Sequence, residues 1–494
     1  MPDPLTTPPS RDRRRWGALA VTAALALLTT VVGCASDDLG NVPGTATSDP
    51  STTTGVAAPP VASVPSDADL AAVTALLRTR AAAIVAGDEQ AYAGSLADPS
   101  SSQGLRQLAA YRAARALRVS HLDVGGAVAV GSAIRVEAGS GGGAPPSDGV
   151  SPSTRTTTTS TPSGPTTTGG PTTTDAPTTT DAPNSPSELR VRVPLAYRID
   201  DLDRGDRTTE VSVLLRRDGA HGWSVVSETA AGAGAPPWVV MPDLVVRRGE
   251  HAVVAGTGPT PRLAEHVGVV DRALPDLQTD WRGTPDRVLV LAPGTADEAD
   301  ALLGRSPGSG SAPVAATTEG PTGADGRATG DRVVLDPTTY ARLTAAGRDV
   351  VLTHELAHVA VRATLAGRPA GWLAEGYADH VGYARADVPD ERLLAPLLTE
   401  VRAGRGPTGL PRPTELDPGS GPIQVPYLAA WQAVELLADE HGEVALRRLV
   451  VEASVPGSEA DAEAATDQAL HRVLGTSRAE LTRAWQQRLR ELAR

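Results

Sequence analysis

One stretch constrains this chain more than any other. It is His354-Glu355-Leu356-Ala357-His358, followed after residues 359–374 by Glu375 in Trp372-Leu373-Ala374-Glu375-Gly376-Tyr377-Ala378-Asp379. On a helix, residues four apart share a face, so His354 and His358 can grip one metal ion together. Glu355 lies beside them, where it can take a proton from an activated water. Glu375 can close the site as a third protein ligand. Three protein ligands with one open position suit a catalytic zinc rather than a structural one. Asp349-Val350-Val351-Leu352 lead into the motif and Val359-Ala360-Val361 follow it, so this helix is apolar enough to be buried. Glu375 and Asp379 are also four apart, so a second helix can aim both carboxylates at the same place. One can bind the metal, and the other can accept a hydrogen bond from a ligand histidine and fix its tautomer. An amphipathic helix with two ordinary polar histidines would leave the second motif unexplained.

The pair HELAH and WLAEGYADH resembles the gluzincin metallopeptidases, the thermolysin-like group with two His and one Glu on zinc. It is most similar to the bacterial branch whose second motif reads W-L-x-E-G-x-A. The resemblance covers roughly residues 245 to 494. It implies His354, His358 and Glu375 as zinc ligands, Glu355 as general base and acid, and Asp379 as the carboxylate that orients a ligand histidine. It also implies a Tyr or His donor to the oxyanion from the C-terminal helical part. Tyr427, beside Pro426, resembles the family's Tyr-x-x-Ala helix opening and is the first choice; His441 is the second. Tyr377 is read as packing, and His380 as a neighbour of the ligands or a surface residue rather than a fourth ligand.

The 494-residue chain carries a formal charge of −13 and a pI near 5.2, which argues against a nucleic-acid partner. Near the N-terminus, Arg11, Arg13, Arg14 and Arg15 precede an apolar run over residues 17–33 that ends in Val31-Val32-Gly33-Cys34. The run is short and rich in small residues for a spanning helix. It resembles a lipobox, which implies cleavage before a lipid-modified Cys34 and an extracytoplasmic chain tethered to the cell membrane. A cleaved secretory signal or an uncleaved anchor with a chance cysteine would also export the chain. Cys34 is the only Cys, so no disulfide can form within the chain and zinc must be held by N and O ligands.

The rest divides by composition. Residues 1–33 read as the signal peptide and 34–65 as a Ser/Thr/Pro/Gly-rich tether. Residues 66–237 read as an α+β accessory domain. Its helices run from Asp67 to about Ala116, with Leu70, Val73, Leu76 and Leu77 on one stripe. Strands follow at 119–124, 128–136, 189–193, 210–214 and 223–226. Helices first and then an antiparallel meander weakly resemble the cone-shaped nuclear-transport-factor-like fold. Between two strands, residues 138–187 hold a Thr156–Thr159 tract and Pro-Thr-Thr-Thr-Asp-Ala units starting at Pro171 and Pro177. That composition cannot bury a core, and the insertion is expected to be disordered and suited to O-glycosylation.

Residues 244–494 read as the metallopeptidase-like domain, with a small sheet and a mainly helical C-terminal part. A hairpin is expected at 244–255 with Arg248-Gly249 at its turn, a helix at 261–277, a buried strand at 288–291 and a short helix at 298–303. Residues 305–330 read as a mobile Gly/Ser/Thr-rich surface loop. Arg332-Val333-Val334-Leu335 is expected to be a strand, and the resemblance makes it an edge that pairs with an extended peptide. Helices are expected at 393–401, 427–441, 445–451, 461–474 and 477–492, with Trp431 and Trp485 in the core. The whole is therefore expected to be α+β. Two functions fit: a membrane-anchored zinc endopeptidase acting on a peptide or protein substrate, or a non-catalytic envelope lipoprotein whose peptidase-like domain binds peptide or scaffolds other components. The sequence leaves the oligomeric state open.

Overall fold

Helix α1 (Asp67–Ala86) begins where the Ser66 side chain accepts from the Asp69 backbone N–H and the Asp69 carboxylate accepts from the Ser66 N–H in return. Helices α2 (Glu89–Gly94) and α3 (Ser102–Leu117) follow, then strands β1 (Val119–Val124), β2 (Val128–Ala129), β3 (Glu188–Ile199), β4 (Arg207–Asp218) and β5 (Gly222–Ala230). The computed structural model describes residues 65–130, 188–218, 222–232, 234–306, 315–386 and 389–494. The signal peptide, Cys34, nearly all of the tether, the 138–187 insertion and the latter part of the expected 128–136 strand lie outside the described residues.

These strands form one curled antiparallel sheet in the order β1-β3-β4-β5, with β2 also paired to β3. Strict alternation along β3 sends Leu189, Val191, Val193, Leu195, Tyr197 and Ile199 inward against α1 and α3. Register breaks at Val119/His121 and Leu214/Leu215 bend the strands.

After the short helix α4 (Pro237–Val240), a second small sheet is built from β6 (Val245–Arg248), β7 (Ala252–Gly256), β8 (Val288–Ala292), β9 (Ala316–Glu319) and β10 (Arg332–Leu335). Its order is β6-β7-β8-β10-β9. β7, β8 and β10 are parallel, while β6 and β9 run antiparallel to their neighbours. Helix α5 (Thr260–Asp280) joins β7 to β8, and α6 (Ala296–Leu303) follows β8. The continuous apolar runs of β7 and β8 are explained by burial on both faces. Val254, Val290 and Val333 pack toward α5 and α7 (Ala345–Thr364). Val253, Leu289, Leu291 and Val334 belong instead to the core of the N-terminal half. One apolar core thus runs from the first sheet onto the second.

Two expectations are corrected here. The strand Arg332–Leu335 is interior, and β9 is the edge. Residues 305–330 are also not simply loop: Ala316–Glu319 pairs with the whole of β10 and extends the sheet by one strand. Local composition misreads the segment, because β9 gains its stability from a partner strand and not from its own apolar content.

The remainder is helical: α8 (Gly371–Tyr383), α9 (Asp390–Leu393), α10 (Ala395–Arg402), α11 (Pro413–Leu416), α12 (Gln424–His441), α13 (Glu443–Ala453), α14 (Glu459–Ala469) and α15 (Arg478–Leu492). The helix expected at 393–401 is α10, which starts two residues later, after the separate turn α9. Trp372, Trp431 and Trp485 are fully buried among these helices. No helix of the described residues is long and apolar enough to cross a membrane.

Candidate metal centre

Helix α7 starts at Thr344, whose hydroxyl accepts from the Gly347 N–H at 3.0 Å. About three turns further on, His354 and His358 face the same side. Helix α8 is anchored at its first turn by α14 and the residue before it: the Glu459 carboxylate accepts from Gly371 N at 2.9 Å, and Thr466 Oγ1 accepts from Ala370 N at 2.9 Å. Gly376 lets α8 press against α12, since a Cβ there would stand 2.6 Å from the Ala430 carbonyl oxygen. This packing delivers Glu375 and Asp379 to the face of α7.

The three expected ligand atoms converge. His354 Nε2 and His358 Nε2 are 3.1 Å apart, and Glu375 Oε2 lies 3.3 Å from each. Ligands held tetrahedrally at 2.0–2.1 Å from a zinc ion would be about 3.3 Å apart, so the triangle suits such an ion. Two nitrogens and one oxygen are donors zinc accepts, and this group could hold a metal ion. Among the described residues it is the one cluster of its kind.

Asp379 stands behind the triangle, its Oδ1 2.8 Å from His354 Nδ1. In the neutral ring, a proton on Nδ1 donated to this carboxylate leaves Nε2 bare and facing His358 and Glu375. Electrostatics in the metal-free protein follow from this crowding. Burial opposes charge on His354, but Asp379 and the Glu375 and Glu355 carboxylates outweigh it and raise its pKa well above the ordinary value. Burial likewise works against the Glu375 anion, and the two imidazoles overcome it and hold the carboxyl well below its usual range.

Glu355 is buried and lines the same cleft, of about 820 Å³, as the three ligands. Its Oε2 accepts from Thr318 Oγ1 at 2.6 Å. Thr318 lies on β9, and the sequence offered no cue to it, because the contact exists only once β9 has joined the sheet. Ala315, Ala316 and Thr317 line the cleft with it, as do Val351, Val361, Leu365, Ile423 and Val455.

Tyr427 lies in the first turns of α12 and also lines the cleft, its ring 6.4 Å from that of His354. Burial, and then the nearby Glu375, Asp379 and Glu355 carboxylates, push its phenol above the ordinary range, so it remains protonated. His441, at the far end of the same helix, does not line the cleft. His380 is turned away: its Nδ1 meets Glu435 at 2.8 Å and its Nε2 meets Glu443 at 3.0 Å. It is buried, not at the surface, and it is not part of the metal cluster. Tyr377 packs edge-on against Trp281 and accepts its indole N–H at 2.7 Å.

No family model matches the chain, and no curated protein matches it.

Proposed function

We propose that this protein is a zinc-dependent peptidase that cleaves peptide bonds, working at the outer face of the cell membrane from a lipid anchor on Cys34. The observation that carries the reading is the convergence of His354, His358 and Glu375 on one point, with Glu355 beside them in an open cleft. Zinc bound there would polarise a carbonyl and activate a water.

The chain's own groups account for the rest. Glu355 accepts the proton of the attacking water and hands it to the leaving amine. Thr318 fixes one oxygen of Glu355 and leaves the other for this work. Tyr427, kept protonated by its surroundings, donates to the developing oxyanion. The exposed side of β9 offers backbone groups to an extended peptide, which would add as a further strand. Among the described residues, the acidic ones lining the cleft are Glu355, Glu375 and Asp379, each with a task already, so these offer no spare carboxylate for a substrate's terminal amine. That favours cleavage inside a chain over removal of its first residue.

The gluzincin-like architecture of residues 244–494, and the cone-like form of the N-terminal half, belong to the same proposal. Export and anchoring rest on the Arg11–Arg15 cluster, the apolar run and Cys34.

The test is incubation of the purified, zinc-supplied protein with a pooled peptide library, beside Glu355→Gln. The proposal expects internal cleavage that the variant loses by about 10²–10⁴-fold or more. Equal cleavage by both would sink the mechanism, and bound zinc without cleavage would favour a peptide-binding scaffold.

A further inference from the structure

The loop between β9 and β10 is gripped from two sides. From α7, Arg362 donates to both Asp331 oxygens, at 2.9 and 3.2 Å, and to the Gly320 carbonyl at 3.0 Å. From the N-terminal half, the turn between β3 and β4 reaches across. Arg204 donates to the Ala328 carbonyl at 2.5 Å, and its backbone N–H donates to the Thr329 carbonyl. Asp203 receives Arg332 at 2.7 Å with both side chains buried. A Cβ at Gly330 would stand 2.1 Å from Asp203 Oδ1, so the loop is seated directly on that carboxylate.

The most consequential of these contacts comes from β4. Arg207, with its side chain only 4% exposed, donates to Glu319 at 2.6 Å and to the Gly330 carbonyl at 3.0 Å. Glu319 is the last residue of β9, and its neighbour Thr318 holds Glu355. A charge-assisted hydrogen bond is stronger than a neutral one, and the planar guanidinium fixes direction as well as distance. The cleft wall is thus tied to the first sheet through a chain of direct contacts: Arg207 to Glu319, then Thr318 to Glu355.

We propose that Arg207 and Glu319 are positioning residues, through which the N-terminal half holds β9 in place against Glu355. The accessory half is then part of the machinery of the site and not a spacer. This rests on the peptidase reading only for its catalytic consequence; the fixing of β9 stands apart from it.

The test is hydrogen exchange read by mass spectrometry on the full chain, with and without zinc. It compares wild type with Arg207→Met and the milder Glu319→Gln. Arg216→Met serves as the control, because Arg216 lies on the same strand as Arg207 and makes an exposed pair with Glu188 of β3. Exchange over 315–331 should quicken about tenfold in Arg207→Met and less in Glu319→Gln, with α7 and the control unchanged. Zinc affinity should stay at the wild-type value, and kcat on a cleaved peptide should fall about tenfold. Wild-type exchange over 315–331 in both variants would overturn the proposal, as would an equal rise across α5 and α7. Should the wild type cleave nothing while 315–331 still depends on Arg207, the peptidase reading fails and the positioning role stands.

Discussion

His354 Nδ1 lies 2.8 Å from Asp379 Oδ1, and this contact decides which nitrogen of the histidine faces the metal position. A carboxylate behind a ligand histidine fixes the ring and makes the free nitrogen a better donor. Asp379→Asn should therefore weaken zinc binding by about 10- to 100-fold while the chain stays folded. Competition with a chromophoric chelator measures it. Unchanged affinity would mean that His354 is oriented by packing alone.

Zinc binding should release protons near neutral pH. With its pKa raised by Asp379, Glu375 and Glu355 against the cost of burial, His354 keeps its second proton to higher pH than an ordinary imidazole, and that proton must leave before Nε2 can bind. Affinity should thus rise with pH across the neutral range. Calorimetry in buffers of different ionisation enthalpy should show net proton release on zinc binding, shrinking as pH rises. No proton release would contradict the electrostatics described for the pair.

Gly376→Ala should damage the site without touching a ligand. The added Cβ would meet the Ala430 carbonyl oxygen at 2.6 Å and push α8 off α12. Overpacking of this kind costs about 1–3 kcal/mol, and the shift should carry Glu375 away from the histidines. Denaturant unfolding and zinc affinity should fall together.

How far the site could be read from residues alone depended on the range of each contact. The pairs His354/His358 and Glu375/Asp379 lie within single helices, where spacing determines which side chains share a face. The apolar residues around HELAH likewise announced a buried helix. Thr318 and Arg207 had no such cue. Their roles arise from strand pairing and from the meeting of two sheets, and a Gly/Ser/Thr-rich segment hides a strand whose partner is remote. The edge was misassigned for the same reason, since the order of strands in a sheet is a tertiary property. The burial of His380 was not legible, because its partners Glu435 and Glu443 lie on helices far along the chain.

His380 should make stability fall at alkaline pH. Burial works against its charge, but hydrogen bonds to Glu435 and Glu443 prevail and push its pKa up to about 9. The folded value exceeds the ordinary 6.5, so this contribution is complete below about pH 6.5 and is lost as pH rises through about 9. It amounts to something on the order of 3 kcal/mol. Urea unfolding at pH 6 and pH 10 should show a decline that is flatter in His380→Gln. Parallel pH dependences would show that the cluster is not charged as described.

Tyr427→Phe separates binding from chemistry. The ring stays and the hydroxyl goes, so zinc affinity should hold. Loss of one oxyanion donor should lower kcat by about 10²–10³-fold with little change in KM. Full activity in the variant would remove Tyr427 from that role.

The most direct test of the account is zinc X-ray absorption on the metal-loaded chain. It should give one ion with a first shell of nitrogen and oxygen at about 2.0–2.2 Å and the outer-shell scattering of two imidazoles. A shell of water oxygens with no imidazole contribution would contradict it.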